Sequence, residues 1–216
     1  MTNSAHLETG LVIKNFIKGT AYSISHLDKE HRLHASSEYV AIEFLIDAPK
    51  DYLSLPACTE PPRITLHFDR ANCQRELADD CYQVRCAEPC DTFGFMRWAD
   101  NAISILTQAL TVPGVTATDT ADFKTVLQSE PSQRFLFKIF ASSDTIYQLD
   151  HLAANQLPRA AFGVFTGGAD LSLQEYAAVD TLIFDQLHQD AHSHIATCVL
   201  PEQEKARVAV LYGVTE

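Results

Sequence analysis

The chain has 216 residues, 46% hydrophobic and 20% charged, a globular composition that excludes a disordered or collagen-like chain. A formal net charge of -12, from 28 acids against 16 bases, argues against nucleic acid or an anionic membrane as partner, since both need concentrated Lys and Arg. The opening MTNSAHLETG is no secretory signal, and no run approaches the roughly 18 apolar residues of a membrane span, so a cytoplasmic protein with its six cysteines as thiols is expected.

In chain order, LVIKNFI (11–17), YVAIEFLID (39–47) and RITLHFD (63–69) are short, branched or aromatic, and bounded by polar or Pro-containing stretches, which predicts strands. Between the first two, AYSISHLDKEHRLHA spaces Ile24, Leu27 and His31 at helical intervals and predicts a crossover helix, hence a βαβ unit. ANCQRELADD predicts one short helix and CYQVRC a fourth strand. From Phe93 to Leu110 a helix is predicted with Phe95, Trp98, Ala102, Ile105, Leu106 and Ala109 on one side, stopped by the turn at Pro113-Gly114.

Asp119 is placed to cap a helix through TADFKTVLQ, its carboxylate accepting free amides of the first turn, and Asp122 reads as an exposed acid in that turn. RFLFKIFAS then predicts a strand, SDTIYQLDHLAANQ a helix, RAAFGVFTGG a strand and LSLQEYAAVDTLIFDQLH an amphipathic helix. Gly167-Gly168 and Asp170 read as the tight turn and N-terminal cap before that last helix. SHIATCVLP and ARVAVLYGV close the chain as two strands joined by the charged turn PEQEK, the pattern of an antiparallel pair.

Four cysteines, Cys73, Cys81, Cys86 and Cys90, fall within eighteen residues, but their spacings differ from those of zinc ribbons and knuckles, and no metal is assigned to them. His188, His192 and His194 in HQDAHSH fit an exposed turn as well as one face of a strand. His67 and Asp69 on RITLHFD, with Asp47 at another strand end, fall where parallel sheets place ligands, yet no Ser or Cys nucleophile stands at a recognisable spacing from a base.

The stretches TVPGVTATDTADFKTVL, FTGGADLSLQE and DAHSHIATCVLPEQEKARVAVL resemble the FtsZ family of tubulin homologues. In that family a central helix runs into a Pro-Gly turn and an acidic GxxNxDxxD loop, and a later strand ends in TGGxDLSLxE. The resemblance spans residue 99 to the end. A looser likeness covers the first half: SEYVAIEFLIDAPKDYLSL is similar to the family's second strand and NTDAQ loop, and YQVRCAEPCDTFGF to the strand ending in TKPFSFEG, which puts Cys86 and Cys90 on a strand and the turn after it. The fold class so implied is α/β, with a reduced Rossmann-like unit over 1–92, a connecting helix over 93–112, and over 113–216 a mixed sheet with helices like the FtsZ/tubulin C-terminal domain.

FtsZ holds the phosphates of GTP with a glycine-rich GGGTGTG loop, whose bare amides converge on the anion. Here RITLHFD runs into RANCQRELADD, and no glycine stands between Gly19 and Gly94. The family's stretch around the nucleotide base also has no counterpart, so the resemblance implies lost GTP binding, with no catalytic, cofactor-binding or metal-binding residue and no cofactor. In FtsZ filaments the acidic loop reaches a neighbour's nucleotide. Asp119 and Asp122 match its two acids, while Ala117 stands in place of the Asn.

Expected, then, is a non-GTPase module of cell-division or cytoskeletal ancestry that docks through Pro113, Gly114, Asp119 and Asp122 on FtsZ, another tubulin-like polymer, or itself. The alternatives are a nucleotide-independent self-assembling scaffold and a relic enzyme with weak nucleotide hydrolysis. No tail follows Tyr212-Gly213, so the C-terminal peptide by which FtsZ meets membrane adaptors is not expected.

Overall fold

The computed structural model describes residues 11–17, 42–52, 64–87, 89–112, 114–116, 118–140, 157–203 and 206–214. The helices expected over 21–35 and 143–156 lie outside these residues. The branched and aromatic runs form β1 (Leu11–Asn15), β2 (Ile42–Ile46), β3 (Ile64–Asp69), β4 (Cys81–Arg85), β5 (Arg134–Phe140), β6 (Ala160–Gly167), β7 (His192–Val199) and β8 (Arg207–Gly213). The helices are α1 (Thr92–Thr111), α2 (Thr120–Gln128) and α3 (Leu173–Phe184). Among the described residues no helix is long and apolar enough to cross a membrane.

All eight strands share one sheet, in the order β1-β2-β3-β4-β5-β8-β6-β7. Seven of them point the same way, and β8 alone runs against its neighbours β5 and β6. The two final strands are therefore not a hairpin, contrary to the expectation from PEQEK: β6 separates β7 from β8. The reason is burial. Val208, Val210 and Tyr212 of β8 face one hydrophobic cluster and Ala209 and Leu211 the other, so the strand needs cover on both faces and a ladder on both edges. A position between β5 and β6 supplies all of these.

The parallel ladder from β4 to β5, Gln83↔Arg134 through Arg85↔Leu136, carries the sheet from the first half of the chain into the second. Helix α1 lies over that joint. Its 20 residues span about 30 Å, close to the width of the six strand spacings from β2 to β7, and it touches β2, β6 and β7. Phe95, Ala99, Ala102, Leu106 and Ala109 bury one stripe at helical spacing, and small alanines let the backbone approach the sheet. Helix α2 adds Phe123, Val126 and Leu127 to the same face, whereas α3 covers the opposite face with Val179 and Ile183.

The helix expected over ANCQRELADD does not form: residues 71–80 make turns and irregular backbone. Several of their carbonyls accept from side chains of or beside the neighbouring strands. Gln83 Nε2 donates to the Cys73 carbonyl, Arg134 Nη2 to that of Arg75, and Gln133 Nε2 to that of Ala78. This segment lies on the face of β2 to β4 turned away from α1.

Phe95 is fully buried against Trp98, with ring centroids 5.7 Å apart. Phe95→Ala should lower the unfolding free energy by about 3–5 kcal/mol, read as a fall in the urea midpoint. A loss below about 1 kcal/mol would show that this end of α1 is not pinned to the sheet.

Candidate functional site

Parallel sheets bind ligands beyond the carboxyl ends of their strands, which here makes the ends of β2, β3 and β4 the first place to look. Asp69, the last residue of β3, is 1% exposed, and Arg75 from the irregular segment is 5% exposed. The guanidinium grips this carboxylate with both prongs: Nε donates to Oδ2 and Nη2 to Oδ1, each at 2.7 Å. It donates further to the carbonyls of Ala48 at 3.0 Å and Pro49 at 3.3 Å, just after β2. Gln83 Nε2 adds a third donor to Asp69 at 2.8 Å.

Asp47 follows β2 in the left-handed region, with φ 51, and its carboxylate accepts from Nε and Nη2 of Arg70 at 3.3 and 3.2 Å. Arg70 also donates to Thr92 Oγ1 at 3.4 Å and lies over the Phe95 ring, 4.8 Å from its centroid. The two carboxylates that the sequence placed at strand ends thus meet two arginines. Backbone amides at this edge are spent likewise: Asp47 N donates to the Phe68 carbonyl, Cys73 N to Arg70 and Cys86 N to Asp69.

His67 lies beside Gln83 in the β3–β4 register and is 4% exposed. Burial, reinforced by the Arg75 guanidinium and opposed by Asp69, lowers its pKa from 6.5 to about 4. Its Nδ1 has no hydrogen-bond partner among the described residues. The imidazole is therefore neutral near pH 7, sealed in the sheet rather than presented at its rim.

The second region is the loop before α2, whose Pro113 and Ala117 lie outside the described residues. Asp119 and Asp122 bind one another's backbone. Asp119 Oδ1 accepts from the Asp122 amide at 2.9 Å and Asp122 Oδ2 from the Asp119 amide at 3.1 Å, a reciprocal capping box at the start of α2. Asp119 remains exposed and Asp122 is half-buried. Asp119 caps α2 as its position predicts, and Asp122, read as a first-turn acid, completes the pair.

Hydrogen bonds of Thr116 and Thr118 tie this loop to β7. Thr116 N donates to Thr197 Oγ1 at 2.9 Å, Thr116 Oγ1 donates to the Ile195 carbonyl at 3.1 Å, and Thr118 Oγ1 shares a 2.9 Å hydrogen bond with His194 Nε2. His194 in turn stacks on Phe162 at 5.8 Å. Gly114 fits because it has no side chain: a β-carbon there would stand 1.7 Å from the Thr197 carbonyl oxygen. The loop is a fixed feature of the surface, with Val115 48% exposed on it.

The histidines of HQDAHSH are dispersed: His188 Nδ1 accepts from the Asp190 amide, and His194 serves the loop. Among the described residues no group of three His, Cys, Asp or Glu side chains is placed to hold a metal ion. The cap of α3 is Ser172, in a capping box with Glu175, and not Asp170, because the turn Leu171 N to Gly168 O sets the helix start two residues later. The pattern S-x-x-E in LSLQE carries that signal. Arg75, Gln83, Thr116 and Thr118 are the contributors that sequence reasoning missed, and only the alternation in VTATDT hints at the two threonines.

Removing one partner of a buried ion pair strands the other, so Arg75→Met should cost about 3–5 kcal/mol in urea unfolding, and Asp69→Leu added to it should recover most of that loss. For His67, whose folded pKa lies below the unfolded value, the unfolded chain binds more protons between the two. Its stabilising contribution is complete above pH 6.5 and falls toward pH 4, by on the order of 2–3 kcal/mol. His67→Gln should remove that part of the acid sensitivity, and equal losses in variant and parent would reject it.

No protein-family model matches the sequence, and no curated protein matches it. Among solved structures, the chain is similar to an empty FtsZ dimer from M. jannaschii, with TM-score 0.59 and 13% identity over 82% of this chain and 64% of that one. It is also similar to a tryptophan-to-tyrosine mutant of M. jannaschii FtsZ, with TM-score 0.50 and 16% identity over 62% of this chain and 46% of that one. The chain spans less than two thirds of the length of either structure. At such identity the likeness is one of architecture: this α/β chain has an FtsZ/tubulin-like fold in divergent form.

Proposed function

We propose that this chain is a non-hydrolysing module of FtsZ ancestry that docks on a tubulin-like polymer through the loop carrying Gly114, Asp119 and Asp122. The observation that carries the reading is the Arg75–Asp69 pair. It fills the carboxyl edge of β2 and β3 with a buried guanidinium that donates to a carboxylate and two carbonyls. A triphosphate there would have to displace that carboxylate and find free amides in a segment without glycine. The strand order supports the same conclusion, because β1 to β4 advance in one direction with no reversal to open a crevice.

The loop, by contrast, keeps the exposed Asp119 and the half-buried Asp122 at the start of α2, close in sequence to the exposed Val115. Charged groups held in place around one apolar contact suit recognition of a protein surface. Self-association is the second reading, favoured by the match to an FtsZ structure described as a dimer and empty.

The decisive test separates charge from capping. Asn caps a helix about as well as Asp, so Asp119→Asn with Asp122→Asn should change stability by less than about 1 kcal/mol while removing the negative charge. Purified FtsZ polymerised with GTP should carry the parent chain into the pellet and change its light scattering, and the double variant should do neither. If the parent neither pellets nor alters scattering, docking is rejected. Self-association is then decided by light scattering of the chain alone across concentrations, and relic hydrolysis by phosphate release from GTP.

A further inference from the structure

Cys86 and Cys90 bring their sulfurs to 3.7 Å. Each is held by a different element. Cys86 leaves β4 with its amide donating to the Asp69 carbonyl at 3.0 Å, and it is 8% exposed within the cluster that holds Phe95. Cys90 is exposed and directly precedes Asp91, the N-cap of α1, whose carboxylate accepts from the Gly94 amide at 2.7 Å. Gly94 leaves room beside it: a β-carbon there would stand 3.3 Å from Cys90 Cβ.

We propose that Cys86 and Cys90 form a dithiol–disulfide pair that exchanges with low-molecular-weight disulfides of the glutathione class. The exposed Cys90 thiolate attacks one sulfur of the incoming disulfide and expels one thiol, leaving a mixed disulfide on Cys90. Cys86, as thiolate, then attacks Cys90 Sγ, breaks the mixed bond and expels the second thiol. Two cysteine thiols lose two electrons and two protons, and one disulfide becomes two thiols. The sulfurs must approach by less than about 2 Å to reach the ~2.05 Å of the bond.

Cys73 and Cys198 are set apart by their surroundings. Burial raises the Cys198 pKa to about 12, and burial followed by the Asp69 carboxylate raises that of Cys73, so both hold their protons. The bond would staple the exit of β4 to the start of α1, beside the contact of Arg70 with Thr92. Dithiols of this kind in reducing compartments serve exchange or sensing more than permanent structure.

The full chain, incubated with oxidised glutathione, blocked with a maleimide under denaturing conditions and digested with trypsin, tests this. Arg85 and Arg97 bracket one peptide holding both cysteines. That peptide should come out two hydrogens lighter and unlabelled, regain two labels after dithiothreitol, and leave Cys73 and Cys198 labelled throughout. Cys90→Ser, an exposed and mild change, should abolish the lighter peptide. Cys86→Ala should instead accumulate one glutathione on Cys90. Two labels, or two separate glutathione adducts, on the parent peptide in excess oxidised glutathione would overturn the proposal.

Discussion

Burial of the sheet on both sides is the constraint from which the rest follows. Every residue of β2, β3 and β6 is buried, so a polar side chain on these strands has no water to turn to. Asp69 therefore draws Arg75 and Gln83 to itself, and Arg75 in turn draws the carbonyls that follow β2. A buried ion pair of this kind is weak evidence for added stability, since desolvation offsets its attraction. What it does is dictate path: residues 71–80 cannot coil into a helix while their side chains and carbonyls are committed to the sheet.

The same constraint explains the arrangement of the second half. β8 has apolar residues on both faces and takes the only direction opposed to its neighbours, between β5 and β6. α1 is long enough to lie across nearly the full sheet, and the β4–β5 ladder beneath it makes the two halves of the chain one surface. The functional reading inherits this. A carboxyl edge closed by side chains and a loop kept open to solvent are two outcomes of one packing scheme.

Much of this was legible in the sequence. All eight strands follow from branched and aromatic runs with polar bounds, the three described helices from apolar spacing, and Asp119 as cap from its place just before TADFKTVLQ. What was not legible depends on contacts distant in sequence. ANCQRELADD has helix-favouring residues, and nothing local says that Arg75 will bond the carbonyl of Ala48 or that Gln83 will bond that of Cys73. The short connection PEQEK suggested a hairpin because local turn chemistry is readable, whereas the vacancy between β5 and β6 is a property of the assembled sheet. For the loop, the acids stood out in the chain, but the threonines that fix it bond to residues about eighty positions away.

One of those threonines has a further consequence. Among the described residues β7 is an edge strand, as is β1, and an edge strand ordinarily offers its carbonyls as a template on which another polypeptide can add a strand. Here the hydroxyl of Thr116 occupies the carbonyl of Ile195, and Gly114 presses against that of Thr197. Over this stretch the rim of the sheet is blunted against main-chain recruitment, so a visitor to this side has to read side chains.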